Sequence, residues 1–391
     1  MRISPTPIVL GVLVLAAAVP AATLIVYPDG SGDYPTIQAA VDAAADGDGI
    51  MLLNGTFSGP GNRDVVIQNR SLSIYSKAGN PAVATIACGG KPDEPHRFLH
   101  VTDNSSVSVA GLTVTGGHAG GRTPAGGAML ISDGSTAGIE NCVFVDNHAA
   151  MSWDNTGGAV CVDTYCQVAF TGCEFRLNSG SFGGAVSVNH FSNASFESCR
   201  FEDNTALRGG AIWGNSTTKI GCVLVGNTAE QGGAIWGNGY NAEVSHGCTY
   251  ALNAAPTGGA IYAQTGYGSP VVLENTVIAH SSQGVAVHAD MDVPLQIICT
   301  DLFENAGGDW VGPLADFEDL DGNFTADPCF CDLAAHELTV CGDSFCLPAH
   351  SPGDCVALVG ALGAGCPDCG CGGGVATEAR SWSAVRGIFG R

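Results

Sequence analysis

The chain has 391 residues, 45% apolar and only 13% charged, with 14 basic against 37 acidic side chains for a net charge of −23. This apolar content excludes a disordered chain, and an acidic chain with three lysines repels phosphate backbones, which excludes nucleic acid as a partner. The 56 glycines are about twice the ordinary share and follow no three-residue period, which excludes collagen.

Residues 1–21 read as a signal peptide. Arg2 supplies the positive start, and Ile8 to Val19 is an apolar run too short for a comfortable membrane span. Val19-Pro20-Ala21 places small residues at the cleavage point. No later segment is apolar for long enough to cross a bilayer. Export to the cell surface, the outer membrane or the medium is therefore expected, with no integral span after processing.

Residues 22–60 form an N-terminal cap with the first strands. Leu24 to Tyr27 reads as a strand and Pro28 to Asp33 as a turn. A helix is expected from Pro35, with Ile37, Ala40, Val41 and Ala44 on one face, ended by Asp46-Gly47-Asp48-Gly49. Such a helix would cover the open end of a strand stack. The run Val26 to Val41 resembles the opening of pectin-lyase-fold proteins, pectin methylesterases included. The resemblance implies a fold rather than an activity, because the Gly-x-x-Asp-Phe-Ile-Phe-Gly-type run that carries the esterase nucleophile has no counterpart here.

From residue 61 short alternating strands follow: Val65 to Ile67, Leu72 to Ile74, Ala84 to Ile86, Phe98 to Val101, Val107 to Val109 and Leu112 to Val114. A phrase then recurs: Cys-x-Phe-x-x-Asn, four residues, Gly-Gly-Ala and an aliphatic residue. It is clearest at Cys173, Phe175, Asn178 and Gly183 to Val186. It returns from Cys199, Cys222 and Cys248, with a first copy at Cys142 whose Gly157 stands ten positions beyond Asn147 instead of five. The first glycines lie at 126, 157, 183, 209, 232 and 258, spaced by 31, 26, 26, 23 and 26 residues, the period of a solenoid.

Columns follow from that register. Met129, Val160, Val186, Ile212, Ile235, Ile261 and Val287 are always apolar and should point inward. Leu130, Cys161, Ser187, Trp213, Trp236, Tyr262 and His288 vary and should point outward, on the other side of the pleat. Cys142, Cys173, Cys199, Cys222 and Cys248 read as a buried row. Asn147, Asn178, Asn204, Asn227 and Asn253 read as a ladder at a bend. The phrase resembles the repeats of polymorphic outer membrane proteins. That resemblance implies an all-β, right-handed parallel β-helix solenoid over residues 61–365.

The last part is rich in cysteine. Cys329, Cys331, Cys341, Cys346, Cys355, Cys366, Cys369 and Cys371 are expected to form local disulfides, with pairing left open and zinc disfavoured. Ala326 to Pro328, Cys331, Asp332 and Leu358 to Gly365 resemble the last coil of exported bacterial β-helix proteins. Residues 366–391 read as a Gly/Cys-rich linker and tail, and Trp382 to Arg391 resembles the Trp-and-Arg endings of some secreted bacterial proteins.

Candidate chemistry is sparse. Lyase-type proton abstraction needs a base and a carboxylate cluster for Ca²⁺, and Arg200, Glu202 and Asp203 are the best candidates, with Arg176, Arg208, Lys219 and Glu230 nearby in the repeat. Charged turns on a solvated face give the same pattern. The acidic run Asp316 to Asp327 does not match a calcium-binding loop of the helix–loop–helix type. Trp213, Trp236, Tyr262 and His288 are the candidate binding residues, either a stacking line for sugar rings or an external aromatic stack. The reading is an exported repeat protein, monomeric and non-catalytic, without cofactor, that contacts a polysaccharide or a cell-surface partner. A lyase or hydrolase acting on uronic-acid polymers is the alternative, with Ca²⁺ its only candidate cofactor.

Overall fold

The computed structural model describes residues 21–120, 125–149, 156–189, 191–214, 216–238, 243–264, 270–352 and 355–371. Residues 1–20 of the expected signal peptide (1–21) and the tail after Cys371 lie outside the described residues. The chain winds as a parallel β-helix. Its walls are sheets of 11, 10 and 9 strands, each strand pairing with its counterparts one coil before and after. The first sheet runs from Thr23–Val26 to Leu295–Ile298, the second from Gly55–Ser58 to Asp301–Phe303, and the third from Val65–Gln68 to Val287–Ala289. A four-stranded sheet from His118–Ala119 to Thr205–Arg208 adds a fourth side to the middle coils.

One coil shows why the sequence folds this way. Val186–Val188, Asn193–Glu197, Arg200–Glu202 and Thr205–Arg208 are its four strands. Ser198 (φ 52°) and Asp203 (φ 53°) turn the corners in the left-handed region, which short polar residues tolerate best. Gly183 (φ 70°) turns the corner that leads into this coil, as Gly209 (φ 64°) does for the next. At Gly184 a Cβ would strike the carbonyl oxygen of Gly210 one coil on, so both glycines of the phrase are required. Asn204 then locks the coil. Its side-chain Nδ2 donates to the Phe175 carbonyl (2.9 Å) and to Asn227 Oδ1 (2.9 Å), while its backbone N–H donates to the same Asn227 oxygen (3.0 Å). The same bonds link Asn147 to Asn178, Asn178 to Asn204, and Asn227 to Asn253.

The interior is built of rows. The aliphatic column from Met129 to Val287 pairs in register and is buried throughout. The cysteine row is buried and reduced, as expected of small apolar side chains. Phe144, Phe175 and Phe201 stack at 5.0 and 4.8 Å, and Phe170 meets Phe196 at 4.9 Å with Phe175 edge-on at 5.5 Å. Such pairs contribute about 0.5–1.5 kcal/mol each beyond their buried area. The predicted helix forms over Ile37–Ala43 and buries Ile37, Ala40 and Val41 against the first coils. It starts after Pro35, because Thr36 takes the N-cap: its Oγ1 accepts from the Ala39 N–H (3.2 Å).

Three expectations change. Lys219, grouped by sequence with surface charges, is buried inside the solenoid. Its Nζ pairs with Glu243 Oε2 (2.7 Å) and donates to Thr217 Oγ1 (2.9 Å). Gly214 and Gly237 stand opposite and make the room, since a Cβ there would meet the Thr217 methyl and the Glu243 stem. The disulfides are Cys299–Cys355, Cys329–Cys371, Cys331–Cys366 and Cys341–Cys369, so Cys299 joins the set and Cys346 stays a buried thiol. Cys366, Cys369 and Cys371 are thereby tied into the closing unit, whose sheet is Phe330–Asp332, Glu337–Cys341 and Ala364–Cys366, rather than lying in a linker.

Removing one partner of the buried pair strands the other charge. Lys219→Met should cost roughly 3–5 kcal/mol, while Lys219→Met combined with Glu243→Leu should recover most of it, as read by denaturant unfolding. Equal destabilisation of the single and double variants would contradict the assignment.

Candidate functional site

The outward column assembles as expected in register and differently in exposure. Trp213, Trp236, Tyr262 and His288 are Cα partners on successive coils. Their rings lie nearly parallel, with centroids 5.6 Å apart for Trp213 and Trp236, 6.0 Å for Trp236 and Tyr262, and 4.9 Å for Tyr262 and His288. The rings therefore give much of their faces to one another. Trp236 is 4% exposed, and Cys161 and Ser187 in the same column are fully buried, although the pleat points them outward. The four-stranded sheet explains this cover: Phe182 leans on Trp213 (5.6 Å), and the Arg208 guanidinium lies over Phe182 (5.7 Å) and Trp236 (5.3 Å).

The column also holds unsatisfied polar atoms. Ser187 Oγ, Trp213 Nε1 and Trp236 Nε1 sit on three consecutive coils, buried and without a hydrogen-bond partner, and Asn189 Oδ1 beside them is in the same state. Each such group costs about 1–3 kcal/mol when left unmet. At the far end the Tyr262 hydroxyl donates to Asp290 Oδ1 (3.1 Å), and His288 Nε2 lies 3.4 Å from the same oxygen. Burial, then Asp290, pushes the Tyr262 phenol up. Stacked ring edges, indole donors, a hydroxyl and a carboxylate form one stripe. That chemistry can offer stacking and hydrogen bonds to a hydroxyl-rich, ring-shaped ligand.

The enzymatic candidates are partly brought together. Arg200, Glu202 and Asp203 share one side of the coil and are joined by His336, which comes from the closing unit and has no signal in the repeat. Arg200 Nε donates to Glu202 Oε2 (2.9 Å), Arg200 Nη2 to the His336 carbonyl (3.0 Å), and His336 Nδ1 meets Glu202 Oε1 (2.8 Å). Arg200 is therefore engaged as a clip and is not a poised base. Arg176 pairs with Glu174 (3.0 Å), Arg208 serves the aromatic column, Lys219 is interior and Glu230 is exposed, so these do not join the cluster. Glu202, Asp203 and His336 place one ligand atom each within 4.8 Å of one another, the only mixed His and carboxylate group of that kind among the described residues. No three donors from Asp316 to Asp327 converge in this way among the described residues.

Burial pushes the Glu202 carboxyl up, but hydrogen bonds from Arg200 and His336 outweigh it and hold the group below its ordinary value. Burial raises the neighbouring Asp203. The two act in opposite directions. The stability from Glu202 is full above the ordinary carboxylate value and is lost as pH falls through the lower folded value. Asp203 costs stability when ionised, and acid relieves that cost. In an Asp203→Asn background, acidification from about pH 6 to about pH 3 should lower the hydrogen-exchange protection factors of strand Glu337–Cys341, taken against the intrinsic rate at each pH, and Glu202→Gln should flatten that response. An unchanged acid response in the Glu202→Gln variant would contradict the clip.

Among known proteins, residues 97–296 match the family described as the right handed beta helix region. No curated protein matches the sequence. Among solved structures, this one is similar to pectate lyase Pel9A at 13% identity and a TM-score of 0.42, over 81% of this chain and 84% of that one. It is similar to an alginate lyase from Paenibacillus at 12% and 0.42, over 78% and 97%, and to the pectin methylesterase of Aspergillus niger at 15% and 0.34, over 78% and 89%. At these scores the likeness carries no information on activity. The family match spans the coils that the asparagine ladder and the cysteine row hold in register, and the chain belongs to the right-handed β-helix family.

Proposed function

We propose that the protein is a non-catalytic, exported β-helix protein that contacts a glycan along the Trp213–Trp236–Tyr262–His288 stripe. The observation that carries this reading is the in-register column of four near-parallel rings, of which Trp213, Tyr262 and His288 are partly exposed. A scaffold column needs only packing, whereas partly exposed ring edges beside the Tyr262 hydroxyl and the Asp290 carboxylate offer a sugar both stacking and hydrogen bonds. The net charge of −23 favours a neutral polymer over a polyuronate. Four disulfides fit an oxidising compartment, in keeping with the signal-like segment. Among the described residues no helix is long and apolar enough to cross a membrane, a statement that does not concern β-strands. We read the repeat as the polymorphic outer membrane protein type and the location as the cell surface or the medium.

Binding is tested by isothermal titration with soluble neutral polysaccharides and with polygalacturonate, with and without Ca²⁺. Trp213→Ala and Tyr262→Ala should each weaken binding of the neutral polymer by at least about tenfold. No binding by any polymer would sink the reading. Polyuronate turnover lost on changing Arg200 or Asp203 would replace it with the lyase alternative.

A further inference from the structure

We propose that the closing unit carries a second site, for an organic ammonium cation such as a quaternary or methylated amine. The site is a cavity of about 890 Å³ at the C-terminal end of the solenoid, walled by residues of the closing unit together with His280 and Phe303 of the last coils. This volume falls within the range of small-molecule sites. None of its wall belongs to the aromatic stripe or to the Arg200 clip.

The walls define the ligand. Phe303, Phe330 and Phe345 are partly exposed and line the cavity. His280 stands edge-on to Phe303 (5.5 Å, 86°) and steeply inclined to Phe330 (6.3 Å, 61°), so these three rings pack into one aromatic wall of the cavity. Glu318 and Asp327 add two carboxylates, and neither is ion-paired among the described residues. No lysine or arginine lines the cavity. Three of the four disulfides contribute to the remaining wall and hold its shape without a larger core.

Ring faces with carboxylates and no countercharge attract a soft cation. A neutral apolar guest would desolvate the carboxylates with nothing in return. A bare metal ion needs converging oxygen donors, and these two carboxylates are not part of any such group among the described residues. An ammonium centre wrapped in methyl groups meets both demands: its methyls pack on the rings and its charge answers Glu318 and Asp327. Trp310, whose Nε1 donates to Thr325 Oγ1 (2.8 Å) on the cavity wall, gives the site an optical reporter.

The test is calorimetric and fluorescence titration of the full chain, disulfides intact by mass, with choline and with its neutral tert-butyl isostere. Choline should bind and perturb Trp310 emission, with the isostere at least about tenfold weaker. Phe330→Leu, and separately Glu318→Gln with Asp327→Asn, should each weaken choline about three- to thirtyfold. Glu318 and Asp327 are exposed, so the carboxylate variant keeps the test valid even where Phe330→Leu disturbs folding. Trp213→Ala should leave choline binding unchanged, which separates this site from the glycan stripe. Absence of choline binding, equal binding of the isostere, or wild-type affinity in the carboxylate variant would overturn the proposal.

Discussion

The asparagine ladder is the constraint on which the molecule depends. From Asn178 on, each ladder asparagine accepts at Oδ1 from the backbone N–H and the Nδ2 of the preceding asparagine, and its own Nδ2 donates to a carbonyl of the preceding coil, that of Phe144, Phe175, Phe201 or Leu224. The bond geometry leaves no freedom to slip by one residue. Since a one-residue slip would turn every inward side chain outward, the ladder also sets which residues form the core. The rows of phenylalanine, cysteine and aliphatic side chains follow from that register.

A fixed register makes exceptions meaningful. Aligned on its cysteine, each coil places one residue three positions earlier in an inward column, where Phe170, Phe196, Lys219 and Ser245 succeed one another. Lys219 is thus a buried cation in a phenylalanine row, tolerated because Glu243 neutralises it and two glycines make space. Buried pairs of this kind contribute little net stability, but breaking one is costly. The outward column is the other exception. Its residues change in size and polarity from coil to coil more than the aliphatic column does, and Ser187 Oγ, Trp213 Nε1 and Trp236 Nε1 lack partners on successive coils.

Much of this was legible in the residues. The Gly-Gly-Ala spacing located the coils, the period-two alternation separated inward from outward, and the recurring asparagine and cysteine located two rows. Lys219 could have been read correctly, since its distance from Cys222 equals that of Phe196 from Cys199. The contact of His336 with Glu202 could not, because it joins residues 134 apart in sequence that no repeat relates. The disulfide pairing was hidden for the same reason: Cys299 lies in a coil, and its partner Cys355 in an irregular cap. The cover over Trp236 came from a fourth, short sheet with no alternation pattern strong enough to announce it.

The scaffold and the proposed site therefore occupy different columns of one repeat: residues that recur build the solenoid, and residues that depart from the pattern are the ones proposed to meet a ligand. The indole N–H groups offer the most direct check. In ¹⁵N-indole spectra of the protein, whose five tryptophans include Trp213, Trp236 and Trp310, a neutral oligosaccharide should shift the Trp213 and Trp236 signals and leave Trp310 in place. Unmoved Trp213 and Trp236 signals under saturating oligosaccharide would contradict the account.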